Sequence, residues 1–256
     1  MRIDIKNLSF KYSKNAPKTI DNLTLTIDEG SIMVLLGLNG CGKTTLIKLL
    51  AGLLKAEEGT IEYDGININN ITIRERSKIF SYVPQKTYIA DDFFVRDYLT
   101  YGFVNALKFY ETPKKEQLEK VNQLANEIGI SHLLDKKMGK ISGGERQIVT
   151  IASCILQDTP IILLDEPTSA LDLKNQNIVL SLLKKIASEG KTIVLSTHNP
   201  NHTLFLNSKV SLMDQGSIVK EGSATDLVKI DVLKTIYGDS ICYSSDLMYE
   251  EISFKD

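Results

Sequence analysis

Apolar and polar positions along the chain predict two kinds of β-strand. Ile32 to Leu36, Ile161 to Leu164 and Thr192 to Ser196 are apolar through their centres, a pattern typical of strands buried on both faces of a parallel sheet. Other segments mix or alternate apolar and polar residues, at positions 3–8, 23–27 and 60–65. These segments predict an antiparallel β portion beside the strand at Ile32.

Apolar residues spaced three and four apart predict the helices. Leucines at positions 46, 49, 50 and 53 predict a helix that continues to Leu54 after the first buried strand. Leu118 to Ile128 and Leu173 to Ser188 place their apolar residues on one face in the same way. The later part of the chain is predicted to form two short strands within Val210 to Glu221 and short helices within Ser223 to Tyr237.

The loop after the first buried strand carries candidate chemistry. Gly37, Gly42, Lys43 and Thr44 fit the spacing G-x-x-x-x-G-K-[ST]. Glycines let successive backbone N–H groups converge on phosphate oxygens, while the lysine adds a positive charge and the threonine hydroxyl binds magnesium. The sequence therefore predicts a triphosphate site. The predicted loop also contains Asn39, Gly40, Cys41 and Thr45.

Two adjacent carboxylates follow the second buried strand. Asp165 and Glu166 come directly after Ile161 to Leu164, at the strand end where ligands bind in parallel α/β sheets. We expect Asp165 to hold Mg²⁺ and Glu166 to polarise the attacking water. Strand, loop, helix and acidic strand together predict a nucleotide-hydrolysing site.

At this point the chain resembles the nucleotide-binding subunit of ATP-binding cassette (ABC) transporters, along essentially its whole length. Ser142, Gly143 and Gly144 match the signature that contacts the γ-phosphate bound to the opposite subunit. The resemblance also assigns roles to four single residues. It implies that Tyr12 stacks on adenine, Gln85 senses magnesium and the attacking water, Asp172 lies in a loop crossing the dimer interface, and His198 contacts the γ-phosphate.

The resemblance implies an α/β fold with a P-loop NTPase core, an antiparallel β portion and an inserted helical signature subdomain. We expect one ABC ATPase domain over residues 1–256, with the helical subdomain at about 88–157. The implied cofactors are ATP and Mg²⁺. The implied partner is a second copy of the chain, which would sandwich two ATP molecules head to tail.

Composition limits the other functional classes. Thirty basic and thirty-two acidic residues give a net charge of −2, which argues against a nucleic-acid partner. The apolar runs are far shorter than the roughly 18 residues that a membrane span needs, and the first residues do not form a signal-peptide pattern. Three cysteines without metal-ligand spacing are consistent with reduced thiols in the cytosol.

Three classes of ABC protein remain open. Segments at 93–102, 171–176, 197–210 and 233–238 resemble importers of iron-siderophores, haem or cobalamin. That reading implies transmembrane permease subunits, indirectly a substrate-binding protein, and a peripheral position on the inner face of the cell membrane. A soluble ABC ATPase of iron–sulfur cluster assembly, or one with another non-transport role, is the alternative. A DNA-repair or chromosome ATPase is disfavoured because Lys43 and Ser142 lie only 99 residues apart, without sustained heptads.

Three further expectations concern single residues and one segment. The helix N-terminus beside Cys41 predicts a stabilised, reactive thiolate. His132 and His202 match no functional position and are expected to be partly exposed. Part of the aromatic segment at 88–102, which includes Arg96, is expected to line a groove that receives a short helix of the membrane subunit. Burial of these aromatic residues in the local core is the alternative.

Overall fold

The computed structural model describes residues 1–87, 89–105, 113–238, 241–244 and 251–254. Its strands are β1 Ile3–Phe10, β2 Ile20–Ile27, β3 Ile32–Leu36, β4 Glu58–Tyr63, β5 Ile66–Asn67, β6 Phe80–Val83, β7 Ile161–Leu164, β8 Thr192–Thr197, β9 Lys209–Asp214, β10 Ser217–Ser223, β11 Ile241–Ser244 and β12 Glu251–Phe254. Its α-helices are α1 Lys43–Leu50, α2 Ile73–Ile79, α3 Val95–Thr100, α4 Lys115–Glu127, α5 Gly143–Leu156, α6 Leu173–Ser188, α7 Pro200–Leu206, α8 Ala224–Leu227 and α9 Ile230–Tyr237.

The described residues form a six-stranded sheet, a four-stranded sheet and a separate antiparallel pair, β11-β12. The larger sheet has the order β10-β9-β3-β8-β7-β6, and its neighbours from β9 to β6 run parallel. The smaller sheet has the order β2-β1-β4-β5 and is antiparallel. The predicted α/β fold with an antiparallel portion is therefore confirmed.

The pleat of β3 separates the two largest of three apolar clusters among the described residues, and Leu36 at its end lies in the third, with residues of β9, α8 and α9. Val34 faces one cluster together with the apolar residues of α5 and α6. Met33 and Leu35 face the other, which contains α1 and the inner face of the antiparallel sheet. Because successive side chains of a strand point to opposite faces, the continuous apolar run of β3 serves both clusters. This explains why it shows no alternation.

Parallel pairing brings the three predicted site segments to one edge of the larger sheet. β3 pairs with β8, and β8 pairs with β7. Their carboxyl ends lead into the loop at Gly37, into Asp165 and Glu166, and into His198. Residues far apart in sequence therefore meet at the place where ligands bind in such sheets.

The helix predicted to continue to Leu54 ends four residues earlier, at Leu50. Gly52 adopts a left-handed φ of 62°. Its N–H donates to the Leu49 carbonyl and the Leu53 N–H donates to the Lys48 carbonyl, which is the Schellman arrangement that ends a helix. Leu53 consequently points outward and is 59% exposed. The leucine spacing therefore predicts the helix correctly up to Leu50, and the left-handed Gly52 ends it there.

The other predicted elements agree with the structure. α6 has the predicted bounds, the later strand pair is β9 and β10, and the later helices are α8 and α9. Positions 88 and 106–112 of the expected helical subdomain lie outside the described residues. The subdomain bounds and the single domain over 1–256 stay predictions.

Candidate active site

Glycines shape the loop between β3 and α1. A Cβ on Gly37 would lie 2.3 Å from the Met213 carbonyl oxygen, so no larger residue fits between this loop and β9. Gly42 caps α1 with a φ of 109°, and Gly40 has a φ of 84°. Side chains are strongly disfavoured at such angles. These glycines therefore fix the conformation of the loop that leads into the N-terminus of α1, the kind of helix end where anions bind.

The Lys43 side chain folds back over this loop. Its Nζ donates to the carbonyl oxygens of Gly37 at 2.8 Å and Leu38 at 3.0 Å. It also lies 3.8 Å from Glu166 Oε1, with both side chains only 6% exposed. A buried ammonium needs such partners. Lys43 therefore lies beside the strand end that carries the two carboxylates. It is the only cation among the residues of the described chain that line the cavity discussed below.

Asp165 joins the loop to the end of β8. Its Oδ1 accepts hydrogen bonds from Thr44 Oγ1 at 2.9 Å and from Ser196 Oγ at 2.7 Å. Carboxylate and hydroxyl oxygens are the ligands that Mg²⁺ prefers. The Thr44 hydroxyl and the Asp165 carboxylate therefore fit a magnesium site.

Glu166 is held from three sides. Its φ of 48° lies in the left-handed region, which a non-glycine residue adopts only when its surroundings enforce it. Its N–H donates to Ser196 Oγ at 2.9 Å, and its carbonyl accepts from Ser169 Oγ at 3.0 Å. The carboxylate lies 3.0 Å from His198 Nδ1. A fixed carboxylate at this position can orient and polarise a water molecule.

A cavity of about 400 Å³ opens beside Lys43, Thr44 and Glu166, whereas Asp165 and His198 are not among its lining residues. Eight of the predicted residues line it, together with Thr19, which the sequence interpretation did not include. The predicted lining residues are Asn39, Gly40, Gly42, Lys43, Thr44, Thr45, Gln85 and Glu166. Backbone amides, a lysine, hydroxyls and a glutamate are the groups that a magnesium triphosphate needs.

Tyr12 lies beside this cavity, on the segment that follows β1. Its hydroxyl is 3.1 Å from Thr45 Oγ1, and its ring packs edge-on against Phe10 with 5.0 Å between the centroids. The residue is 58% exposed. An anchored and exposed ring is suited to stacking on a base, and the adenine role stays a prediction.

The signature residues lie at the start of α5. Ser142 Oγ accepts from the Glu145 N–H at 3.2 Å, and the Ser142 N–H donates to Glu145 Oε2 at 2.7 Å. This reciprocal capping box lowers the pKa of the Glu145 carboxyl. Ser142 and Gly143 are exposed, and the cavity lining in the described chain does not include Ser142, Gly143, Gly144 or Asp172.

Asp172 caps a different helix. Its Oδ1 accepts from the Asn175 N–H at 2.8 Å at the start of α6. The preceding loop touches the signature, because a Cβ on Gly144 would lie 3.4 Å from the Ala170 carbonyl oxygen. Gly144 of the signature therefore lies next to Ala170 and Leu171 of the 167–172 loop.

Two single-residue expectations are wrong. Cys41 is buried, and its burial raises the pKa of the thiol above the ordinary value, so desolvation outweighs the favourable effect of Lys43 and the backbone amides. His202 is also buried, at 7% exposure. Burial and the neighbouring His198 lower its pKa to about 4. His132, by contrast, has a 63% exposed side chain, as expected.

The aromatic segment divides between interior and surface. Val95 and Leu99 are buried in the core, so only other residues of the segment can line the expected groove. Exposed rings remain at Phe93, Phe94 and Tyr101. Arg96 donates to Asn122 and Asp135 of the same chain, so it is already paired. Tyr88 lies outside the described residues.

Besides Thr19, sequence reasoning missed Ser196 and Tyr237. Ser196 bridges Asp165 and Glu166, and the Tyr237 hydroxyl donates to the His198 carbonyl at 3.4 Å. A polar residue near the end of an apolar strand was the available signal for Ser196. Nothing local marks Tyr237, because α9 reaches His198 only in the folded chain.

Fold and site together define a P-loop nucleotide-binding protein. The sequence model of the ABC transporter family matches residues 20–169, so the chain belongs to this family. A Helicobacter pylori relative named "Probable iron chelatin transport ATP-binding protein" is 33% identical over 93% of this chain and 93% of its own length.

Solved structures give the same assignment. A structure described as an ABC transporter of metal-chelate type in an inward-facing conformation has a TM-score of 0.80 at 30% identity, covering 99% of this chain and 96% of its own. The cassette MJ0796, solved as a dimer in a post-hydrolysis state with ADP and phosphate, has a TM-score of 0.77 at 25% identity, covering 87% and 98%. Within the described ranges, no helix has the length and apolar character required to cross a membrane.

Proposed function

We propose that this chain is the ATP-hydrolysing subunit of a membrane importer, and that the importer carries a metal chelate such as an iron-siderophore, haem or cobalamin. The observation that supports hydrolysis most directly is the Glu166 carboxylate. It borders the cavity, 3.0 Å from His198 and 3.8 Å from Lys43. A binding-only site has no need of such a fixed base.

The groups around the cavity divide the work of hydrolysis. Lys43 and the loop amides bind the β- and γ-phosphates of ATP. Thr44 and the buried Asp165 that it contacts would supply oxygen ligands for Mg²⁺, and Gln85 lines the same cavity as Thr44; the ion would neutralise phosphate charge. Glu166 orients and polarises the attacking water, and His198, 3.0 Å from the Glu166 carboxylate, contacts the γ-phosphate.

A second copy completes the site in this proposal. Ser142, Gly143 and Gly144 lie outside the cavity of their own chain, and Ser142 and Gly143 are exposed at a helix N-terminus suited to an anion. The dimer of the similar cassette MJ0796 supports a head-to-tail pair. Each triphosphate would then contact Lys43 of one chain and Ser142 of the other.

Transport places the chain against permease subunits at the inner face of the membrane. The exposed rings of Phe93, Phe94 and Tyr101 supply aromatic anchors for that contact. The named iron chelatin relative and the metal-chelate transporter support import over a soluble role in iron–sulfur cluster assembly. They also support a substrate-binding protein outside the membrane as an indirect partner.

Co-purification from mild detergent tests the proposal. We expect the tagged chain to bring down a multispanning membrane protein, and ATPase activity of that complex to rise when a chelate-loaded binding protein is added. Phe94→Ser should weaken the association, whereas Val219→Ser, at a half-exposed apolar residue of β10, serves as the matched control. Recovery of soluble scaffold proteins alone would contradict the importer function.

A further inference from the structure

His202 is a buried histidine that the proposed hydrolysis does not use. It lies in α7 with 7% exposure, four residues after His198. Its two ring nitrogens lie close to polar groups of two different chain segments. Nδ1 is 3.1 Å from Thr197 Oγ1 and 3.4 Å from Thr168 Oγ1, and Nε2 is 3.2 Å from Gln176 Oε1.

The neighbouring amides determine which nitrogen carries the proton. Gln176 Nε2 donates to the Leu171 carbonyl at 3.0 Å, which leaves Gln176 Oε1 facing His202. An amide oxygen only accepts, so His202 Nε2 carries the hydrogen and donates to it. Nδ1 then accepts from a threonine hydroxyl. Asn199 Nδ2, 3.3 Å from Nε2, donates no hydrogen bond to it in this tautomer.

The ring therefore joins two loops of the candidate active site. On one side, Thr197 Oγ1 accepts the Asn199 N–H at 3.1 Å and so fixes the turn that carries His198. On the other side, Thr168 belongs to the loop that follows Glu166 and contacts the ring. Gln176 holds the same loop because its Nε2 donates to the Leu171 carbonyl. In sequence, the first loop follows β8 and the second follows β7.

We propose that His202 is a positioning residue for ATP hydrolysis, because its neutral imidazole fixes the turn of His198 relative to the loop that follows Glu166. This inference rests on the proposed function, since it concerns the rate of that reaction. His202 touches neither phosphate nor water in the proposal.

Geometry explains why such a link is needed. Glu166 has a left-handed φ of 48°, a conformation that relaxes unless neighbouring groups hold it. Its carboxylate must also stay 3.0 Å from His198 Nδ1. A small shift of either loop would separate these groups, and misplacement by about 1 Å can reduce a rate by about 100-fold.

The variant His202→Phe fills the site but removes both hydrogen bonds. We expect kcat to fall by about 10-fold to 100-fold, while the Kd for ATP changes by less than about twofold, since Lys43 and the loop amides are untouched. His202→Gln retains a donor toward Gln176 Oε1 and should recover most of the lost kcat. Radiometric phosphate release and fluorescent-nucleotide titration measure the two quantities.

Two controls separate positioning from stability. Leu206→Ala removes a buried apolar side chain of the same helix, 2% exposed, and should lower the urea midpoint with little change in kcat. His132→Phe changes an exposed histidine and should change neither quantity. If His202→Phe does not fold, Gln176→Leu removes the other end of the link from α6 and should lower kcat in the same way.

The outcomes distinguish this inference from the proposed function. A wild-type chain that binds but does not hydrolyse ATP overturns the proposed function, and this inference with it. An active wild type with an equally active His202→Phe, or Gln176→Leu, overturns the inference alone. The inference is also overturned if His202→Gln does not restore the kcat lost in His202→Phe. The same holds if Leu206→Ala loses as much kcat as His202→Phe at equal stability.

Discussion

Glu166 and Ser142 belong to two regions that are built in opposite ways. Glu166 is 5% exposed, and its backbone and carboxylate contact Ser196, His198 and Lys43 from other elements. Ser142 is exposed, and its hydrogen bonds in the described chain run to Glu145 and Arg146, within its own helical turn. One region is assembled by the tertiary fold, and the other by local capping.

The difference indicates how each region works. A buried carboxylate at the meeting point of three strands can act with groups of its own chain. An exposed helix N-terminus with free space around Gly143 is suited to a ligand that arrives from outside. The comparison therefore supports a composite site between two copies, and the following experiments test it in order of expected effect.

The largest effect should come from Glu166→Gln. The amide keeps the shape but loses the carboxylate, so ATP hydrolysis should fall by roughly 10²-fold to 10⁴-fold. ATP-bound dimers should accumulate, because binding is intact while turnover is blocked. Gel filtration with ATP and a phosphate-release assay measure the two effects. Normal hydrolysis by this variant, or a chain that stays monomeric with ATP at high concentration, would remove Glu166 from the proposed role.

Gly143→Arg tests the exposed region. A Cβ at Gly143 meets nothing within 4 Å in its own chain, so the variant should fold and bind ATP with nearly unchanged affinity. Its hydrolysis should fall by at least about 10-fold, because the arginine would obstruct the contact between the signature and the triphosphate bound to the second copy.

Mixing variants makes that test stricter. Lys43→Ala and Gly143→Arg chains should each be nearly inactive alone. In a mixed pair, one site combines the intact Lys43 of the Gly143→Arg chain with the intact Gly143 of the Lys43→Ala chain. Activity should therefore reappear on mixing. A mixture as inactive as its components would contradict a site shared between copies.

The pH dependence of stability should separate the two regions. Burial lowers the pKa of His202 from 6.5 in the unfolded chain to about 4. Below about pH 6.5 the unfolded chain takes up a proton that the folded chain does not, so stability falls as the pH decreases toward about 4. The slope is about 1.4 kcal/mol per pH unit. The cap at Glu145, whose folded pKa is lowered below 4.5, loses its contribution only at lower pH.

Urea unfolding at about pH 7.5 and about pH 5 measures this contribution. The wild type should lose about 2 kcal/mol more than His202→Gln between these conditions, since glutamine does not titrate. Equal losses of the free energy of unfolding in the two chains would show that folding does not lower the pKa of His202.

The last and smallest expected effect concerns the reactivity of the Cys41 thiol. Its thiol is buried and its pKa is raised, so maleimide should label it at least about 10-fold more slowly in the folded chain than in denaturant. Site-resolved mass spectrometry measures both rates. Cys154, whose buried thiol has a pKa of about 12, is the internal control. Rapid labelling of Cys41 in the folded chain would restore the reactive thiolate that the sequence predicted.

Much of the fold could be predicted because its signals are local. The apolar run Ile32 to Leu36, the loop glycines and the spacing within α6 each act over a few residues, and the structure confirms them. The extension of α1 to Leu54 was wrong because a single glycine outweighed the spacing of the leucines. The reactivity of Cys41 was wrong because burial, which outweighs the loop amides, has no local signal.

The sequence by itself determined the residue types of the candidate site and the element on which each one lies. The tertiary structure decided their mutual geometry. Only the pairing of β3, β7 and β8 brings Lys43 within 3.8 Å of Glu166 and His198 within 3.0 Å of it. Only folding encloses His202 between two loops and connects Ser196 to both carboxylate residues. The physical reason is that covalent spacing fixes local conformation, whereas burial and hydrogen-bond partners depend on segments that lie far away in the chain.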